Sequence, residues 1–366
     1  MERTRFCVRR HTVAWHLIIA RNRQAVPSTL PHAGIECGVG LADLQQQHLL
    51  VPLSRMKPAL LVLVQLEPDH LALVSQQYDV VYAPSAAQRA EAVASAGGTF
   101  RAVLSNGTTG ITAAEIDAMP RLELVCALGA GYENIDIAAC RARGIAVGNG
   151  AGTNDSCVAD HAMALLLATV RRVPALDRAT RDGVWRNTIP LPPNVSGKRL
   201  GIVGLGTIGR RIAQRGQGFD LEIGYHNRRP RADAPFQYFA DVMALAEWAD
   251  YLVIATPGGA ETRHLVDTPV LRALGPSGYL VNIARGSVVN TAALADALRA
   301  GEVGGAGLDV YESEPKPPVE LFDCPNVVLT PHVGGWSPEA VLASVTQFIE
   351  NARRHFAGEP LVAPVN

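Results

Sequence analysis

The sequence predicts an α/β protein with two units, each built on a parallel sheet. Two observations carry this. From Met56 onward, short apolar runs alternate with stretches of helical period, the pattern of strands joined by covering helices. After the loop "NTIPLPPNVSGK" (187–198) that rhythm starts again, with an apolar strand running into a glycine-rich turn. A chain of 366 residues, 48% of them hydrophobic, is long and apolar enough for two cores.

The first 55 residues do not join the rhythm. "MERTRFCVRRHTVAWHLIIARNRQ" is rich in arginine with Glu2 as its one acid, and "QAVPSTLPHAGIECGVG" reads as loop. A basic start followed by "VAWHLIIA" suits a targeting segment, but Arg21 and Arg23 follow with no small-residue cleavage pattern. Residues 1–55 are therefore expected to be a poorly ordered extension, with the domain starting at Met56. Strands are expected at "ALLVLVQL", "YDVVYA", "FRAVLSN", "LELVCAL" and "IAVGNG". Helices are expected at "AAQRAEAVASAGG", "TAAEIDAMP" and "NIDIAACRARG", the last closing on Gly144. This unit ends near Gly152.

Asp155–Arg172, "DSCVADHAMALLLATVRR", reads as one helix, apolar on most of its circumference. Such a helix must be buried on several sides, by crossing between domains or by lying in a subunit interface. The second unit offers "RLGIVGLG", "LEIGYHN", "YLVIATP", "GYLVNIA", "GAGLDVY" and "NVVLTPH" as strands. A final helix, "SPEAVLASVTQFIENARRHFAG", opens with Ser337 as cap and Pro338 in its first turn.

Composition narrows the function. The formal net charge is −1 and no run is long and apolar enough to span a membrane, so no nucleic-acid or membrane partner is expected. The six cysteines form no CxxC pair and read as reduced thiols of a cytoplasmic protein. The histidines lack ligand spacing, and no metal is expected.

Gly204, Gly206 and Gly209 form GxGxxG between an apolar strand and an amphipathic helix, the context a dinucleotide cradle requires. The first glycine allows the tight turn, the second lets backbone approach a pyrophosphate, and the third lets the helix pack close. The free N–H groups at the helix start, around Thr207 and Ile208, favour the anion. At the end of the next strand, where an acid would take the ribose hydroxyls of NAD, stand His226, Asn227, Arg228 and Arg229. An acid would repel a 2′-phosphate and an arginine grips it with a planar fork. The stretch is read as preferring NADPH, with NADH possible; a solvated basic turn is the alternative.

Arg285 follows the strand in "VNIARGSVVN", Glu314 lies in the loop of "GLDVYESEP", and His332 ends the strand in "VLTPHVGG". Ligands of open α/β sheets bind beyond the carboxyl ends of the strands, so the three converge on the correct edge. Arginine suits a carboxylate, and histidine suits proton transfer near neutral pH, with a neighbouring carboxylate raising its pKa. Taken singly, a strand cap, a solvated glutamate and a turn histidine are equally good readings; the glycine cradle favours the joint one.

"GAGYENID", "GLGTIG", "NIARGSVVN", "GLDVYESEP" and "TPHVGG" occur in the order found in D-isomer-specific 2-hydroxyacid dehydrogenases. From Met56 onward the chain resembles that family, and most of all its glyoxylate/hydroxypyruvate reductase branch. The resemblance implies two Rossmann-like domains: a dinucleotide-binding domain (153–335) inserted into a flavodoxin-like substrate domain (56–152 and 336–366). It implies that Arg285 binds the substrate carboxylate and carbonyl, assisted by the backbone N–H groups of Ala130 and Gly131. His332 would be the acid/base with Glu314 as partner, and Thr256, Pro257, Ile283 and Asp309 would line the dinucleotide. The helix around Asp155–Arg172 would form a homodimer interface. The implied reaction is NADPH-dependent reduction of glyoxylate or hydroxypyruvate to a D-2-hydroxy acid. Alternatives are reduction of aromatic 2-oxo acids such as hydroxyphenylpyruvate against Trp336, and a dinucleotide-sensing, corepressor-like binding role. "SNGTTG" (105–110) is expected to border the site.

Overall fold

The computed structural model describes residues 57–366; the expected extension (1–55) and Met56 lie outside the described residues. The first sheet takes its strands in order from β1 (Ala59–Val62), β2 (Asp79–Tyr82), β3 (Ala102–Ser105), β4 (Leu124–Ala127) and β5 (Ala146–Gly148). The spatial order is β2-β1-β3-β4-β5, and every pairing is parallel. Parallel pairing requires crossovers, which α1 (Pro68–Ser75), α2 (Ala86–Ala96), α3 (Ala113–Asp117) and α4 (Ile137–Ala142) supply. Both faces of the central strands are therefore covered, and their side chains divide between two cores by the two-residue strand period. Leu61, Val103, Val125 and Val147 enter one core. Leu60, Val62, Leu104, Leu124 and Cys126 enter the other.

Local chemistry sets these helices. Ser85 and Gln88 close a reciprocal capping box at α2, as Thr112 and Glu115 do at α3. Helix α1 falls where the sequence reading places no helix. It begins on Pro68, and Glu67 before it makes no side-chain cap, so the usual start signal is missing.

The second sheet contains β6 (Arg199–Val203), β7 (Glu222–His226), β8 (Gln237–Phe239), β9 (Tyr251–Ile254), β10 (Tyr279–Asn282), β11 (Gly305–Leu308) and β12 (Val327–Leu329). Its order is β12-β11-β10-β9-β6-β7-β8, again wholly parallel. Strand order reverses between β6 and β9, which opens a crevice beyond their carboxyl ends. Six of the strands are the expected ones. The seventh, β8, is a three-residue edge strand too short to produce an apolar run.

Helix α5 (Asp155–Val170) is shorter than expected: Arg172 takes a left-handed φ of 55°, and a separate α6 (Val173–Arg181) follows. Its apolar circumference packs on β10, β11 and α7 (Thr207–Gln217), with Ala159, Ala162, Leu165 and Leu166 in the core of the second sheet. Helices α8 (Val242–Trp248), α9 (Thr268–Leu274) and α10 (Thr291–Arg299) cover the opposite face.

The last helix, α11 (Pro338–Phe356), is capped by Ser337, whose side chain accepts from the Ala340 N–H, and it returns the chain to the first sheet. Val345, Phe348 and Ala352 complete the core formed by Leu60, Leu104 and Leu124. Beyond it, the Val365 N–H donates to the Val147 carbonyl at 2.8 Å, and Asn366 bonds Val147 and Ile145 along the outer edge of β5. Among the described residues no helix is long and apolar enough to cross a membrane.

Phe348 is 2% exposed. Phe348→Ala is expected to lower the unfolding free energy by about 3–5 kcal/mol through lost burial and a residual cavity, measured by urea denaturation.

Candidate active site

At the crevice, Gly204 has φ +100°, and a Cβ there would stand 2.7 Å from the Ala255 carbonyl oxygen. A Cβ on Gly209 would lie 2.1 Å from the Gly204 carbonyl oxygen, so α7 approaches the turn more closely than any side chain permits. Gly206 is different: nothing lies within 4 Å of a Cβ built on it. The turn is tight on the protein side and open on the crevice side, the shape a pyrophosphate cradle needs, with Thr207 and Ile208 opening the helix above it. Asn227 stabilises the turn, its Oδ1 accepting from the Leu205 N–H at 2.7 Å. His226 is bonded through Nδ1 to the Phe239 carbonyl at 3.0 Å. Arg228 and Arg229 project into solvent; Arg228 Nη1 donates to Glu261 Oε2 at 2.9 Å. Thr256 and Pro257 follow β9 on the other lip, and Ile283, 7% exposed, follows β10.

Arg285 leaves β10 and crosses to the loop after β4. Its Nη1 donates to its neighbour's carbonyl at Ala284 (2.6 Å), and its Nε donates to Glu133 Oε1 (2.8 Å). Two glycines make the path: a Cβ on Gly258 would lie 2.8 Å from Arg285 Cγ, and one on Gly131 would lie 2.3 Å from Nη2. Among the described residues the N–H groups of Ala130 and Gly131 donate to no protein oxygen. The guanidinium thus lies beside backbone donors still free to take an anion.

His332 sits in a left-handed turn, φ 56°. The turn is held by Asp309, 3% exposed, which accepts from Thr330 Oγ1 (2.6 Å) and from the N–H groups of Val333 (2.9 Å) and Gly334 (2.8 Å). His161, on α5, approaches the same carboxylate at 3.3 Å. The Asp309 carboxylate is therefore turned into the 330–334 loop. Glu314 Oε2 lies 2.8 Å from His332 Nδ1, and its Oε1 accepts from the Tyr311 N–H at 2.8 Å. This fixes the imidazole with Nε2 away from the glutamate.

The charges follow from the packing. Burial pushes the Glu314 carboxyl up, but hydrogen bonds from His332 and the Tyr311 N–H, with the charges of His332 and Arg285, outweigh it, and the net direction is down. The hydrogen bond to Glu314 and that glutamate's charge raise His332 above the ordinary imidazole value, against burial and the Arg285 charge. The imidazole is thereby kept as a proton donor further into the alkaline range.

The structure brings Ala130, Gly131 and Arg285 to one place and pairs His332 with Glu314; Arg228 and Arg229 lie apart, on the far lip of the glycine turn. Glu133 was passed over at the sequence level, although it is one of the two acids of "GAGYENID" and lies two places beyond Gly131. The support that His161 gives Asp309 carries no local sequence signal, since α5 and β11 are distant in the chain.

Fold and cleft define an α/β protein with a Rossmann dinucleotide-binding sheet beside a second parallel sheet. Residues 163–334 match the NAD-binding domain of the D-isomer specific 2-hydroxyacid dehydrogenases. The chain is 41% identical over 268 residues to hydroxyphenylpyruvate reductase of Plectranthus scutellarioides, spanning 73% of this chain and 86% of the relative. It is 41% identical over 268 residues to glyoxylate/hydroxypyruvate reductase A of Arabidopsis thaliana, with the same coverage of 73% and 86%. Among solved structures, 2-hydroxyacid dehydrogenase of Ketogulonicigenium vulgare superposes with a TM-score of 0.79 at 37% identity, over 85% of this chain and 99% of the other. NADPH-dependent glyoxylate/hydroxypyruvate reductase of Sinorhizobium meliloti, solved with NADP and malonate, gives 0.76 at 35% identity, over 84% and 97%. The chain belongs to the D-isomer-specific 2-hydroxyacid dehydrogenases, NAD(P)-dependent oxidoreductases, in their glyoxylate/hydroxypyruvate reductase branch.

A proton held by the Glu314–His332 pair is present below the raised His332 value and lost as pH rises through it. Glu314→Gln removes the charge that raises it. NMR titration of His332 is expected to show proton loss at lower pH in the variant, and the alkaline limb of the reduction rate is expected to move down with it.

Proposed function

We propose that the protein reduces short 2-oxo acids, glyoxylate and hydroxypyruvate, to D-2-hydroxy acids with NADPH as the preferred donor. The observation that carries this is the placement of Arg285 beside the free N–H groups of Ala130 and Gly131, on the cleft edge that also carries His332. A carboxylate is the ligand this donor set suits. The substrate domain is then 56–152 with 336–366, and 153–335 is the dinucleotide domain.

The turn Gly204–Gly209 and the start of α7 hold the pyrophosphate, with Thr256, Pro257, Ile283 and the Asp309-held loop flanking the rest. When bound, the dinucleotide supplies the hydride. Arg285 and the N–H groups of Ala130 and Gly131 fix the acid end, and Arg285 also stabilises charge developing on the carbonyl oxygen. His332 delivers its proton to that oxygen from Nε2, while Glu314 keeps the ring oriented and protonated. Arg228 is the main 2′-phosphate ligand, exchanging Glu261 for the phosphate, and Arg229 assists. The helix around 155–172 would take part in a homodimer together with the segment that follows it, where Val173 and Trp185 are exposed, 53% and 69%. The four described cysteines are free thiols, which supports a reducing, cytoplasmic setting.

A second reading, reduction of aromatic 2-oxo acids, is favoured by Trp336. It lies four residues beyond His332 and is 68% exposed, a ring surface open to a partner or a substrate. Comparing hydroxyphenylpyruvate with hydroxypyruvate in the unmutated protein and in Trp336→Ala decides between them. An aromatic preference that disappears in the variant overturns the small-substrate reading.

His332→Ala is expected to remove most turnover while NADPH still binds, read by steady-state rates beside fluorescence titration; near-normal turnover across pH would remove the proton-transfer role. Arg228→Ala is expected to cost about tenfold in NADPH efficiency, the worth of one charge-assisted hydrogen bond, with NADH use little changed. Equal use of both cofactors by the unmutated protein would end the NADPH assignment.

A further inference from the structure

Glu133 has no part in the chemistry above, yet it occupies the cleft. Its ion pair with Arg285 is, among the described residues, the one that links the half built on the first sheet to the half built on the second. The second oxygen, Oε2, accepts no hydrogen bond among the described residues. A Cβ built on Gly107 would lie 2.6 Å from Oε2, and one built on Gly131 would lie 2.8 Å from it. Two loops, after β3 and after β4, therefore both leave room for this carboxylate. The side chain is 38% exposed, so a solute in the cleft reaches it.

The charge balance gives this carboxylate a consequence. The cations identified by the site's own hydrogen bonds, Arg285 and His332, each already face a carboxylate, Glu133 and Glu314. A 2-oxo acid brings one negative charge, for which the spare N–H groups of Arg285, Ala130 and Gly131 are available. Neither of these two cations is left over for a second carboxylate on the same molecule, which meets Oε2 instead, a like-charge contact in a partly desolvated cleft. A hydroxyl at the third carbon is a hydrogen-bond donor, and Oε2 is an acceptor without a partner.

We propose that Glu133 determines specificity at the substrate's third carbon, its free oxygen accepting a hydrogen bond from a hydroxyl there and repelling a carboxylate. This rests on the 2-oxo acid reading of the site. The Oε1–Arg285 bond makes Glu133 a positioning residue as well, so substrates must be compared within each variant rather than across variants.

The test uses the full chain with NADPH and three probes: glyoxylate, which has no third carbon, hydroxypyruvate, which has a hydroxyl there, and oxaloacetate, which has a further carboxylate. Glu133→Gln removes the charge, and Glu133→Asp keeps it. Loss of Arg285 positioning alone lowers all three efficiencies together, and the glyoxylate rate reads it. In Glu133→Gln the hydroxypyruvate-to-oxaloacetate ratio of kcat/KM is expected to fall by about tenfold or more, mainly through KM, as one like-charge contact is removed. Glu133→Asp is expected to keep the unmutated order of substrates. A ratio in Glu133→Gln within about twofold of the unmutated one overturns the proposal. Glu133→Asp losing discrimination overturns it also, and this arm decides if Glu133→Gln proves inactive. An unmutated protein that reduces none of the three with either cofactor refutes the proposed function itself, an outcome distinct from an unchanged ratio.

Discussion

The Asp309 carboxylate is the hub of the cleft. It is buried, and burial alone would push it toward the neutral form. Hydrogen bonds from His161, Thr330 and the N–H groups of Val333 and Gly334 reverse that, holding it below the usual carboxylate range. Through this one group α5, β11 and β12 are tied to the turn that presents His332. A histidine in left-handed backbone carries a conformational cost, which persists only where surrounding bonds over-determine the turn. Removing the whole carboxylate would release those donors together, since each N–H and the Thr330 hydroxyl would lose an acceptor oxygen of the same group.

Around that hub, topology does the gathering. Both sheets are wholly parallel, so each sheet presents all its strand-to-helix loops at one edge. The glycine turn after β6, the loop after β9, Arg285 after β10, Glu314 after β11 and His332 after β12 are successive loops of one edge. The first sheet contributes the loops after β3 and β4, with Gly107, Gly131 and Glu133. Residues separated by more than 150 positions, Glu133 and Arg285, thereby come within 2.8 Å.

Much of this was legible in the sequence, for identifiable reasons. Strands buried on both faces read as apolar runs, and the Gly204–Gly209 turn announces itself by spacing and by the strand before it. Ser337 and Pro338 marked the start of α11. Most of what escaped lacked local signal. Helix α1 has no polar cap, and β8 has three residues on an edge. Arg172 ends one helix and begins another by its left-handed backbone; Pro174, in the first turn of α6, was the sequence signal for the break and was not used. Expected roles for Arg285, Glu314 and His332 rested on their positions after strands, whereas Glu133 and His161 act through partners that only the fold brings near.

The tail that follows α11 has a bearing on solubility. Strand β5 ends the first sheet, and an end strand offers unpaired backbone groups to any other extended chain. Here Pro364, Val365 and Asn366 lie along it, taking Val147 and Ile145 through main-chain and amide bonds. The tail acts as a guard rail: without Pro364, Val365 and Asn366 the end strand would present a sticky border to a second copy of the chain.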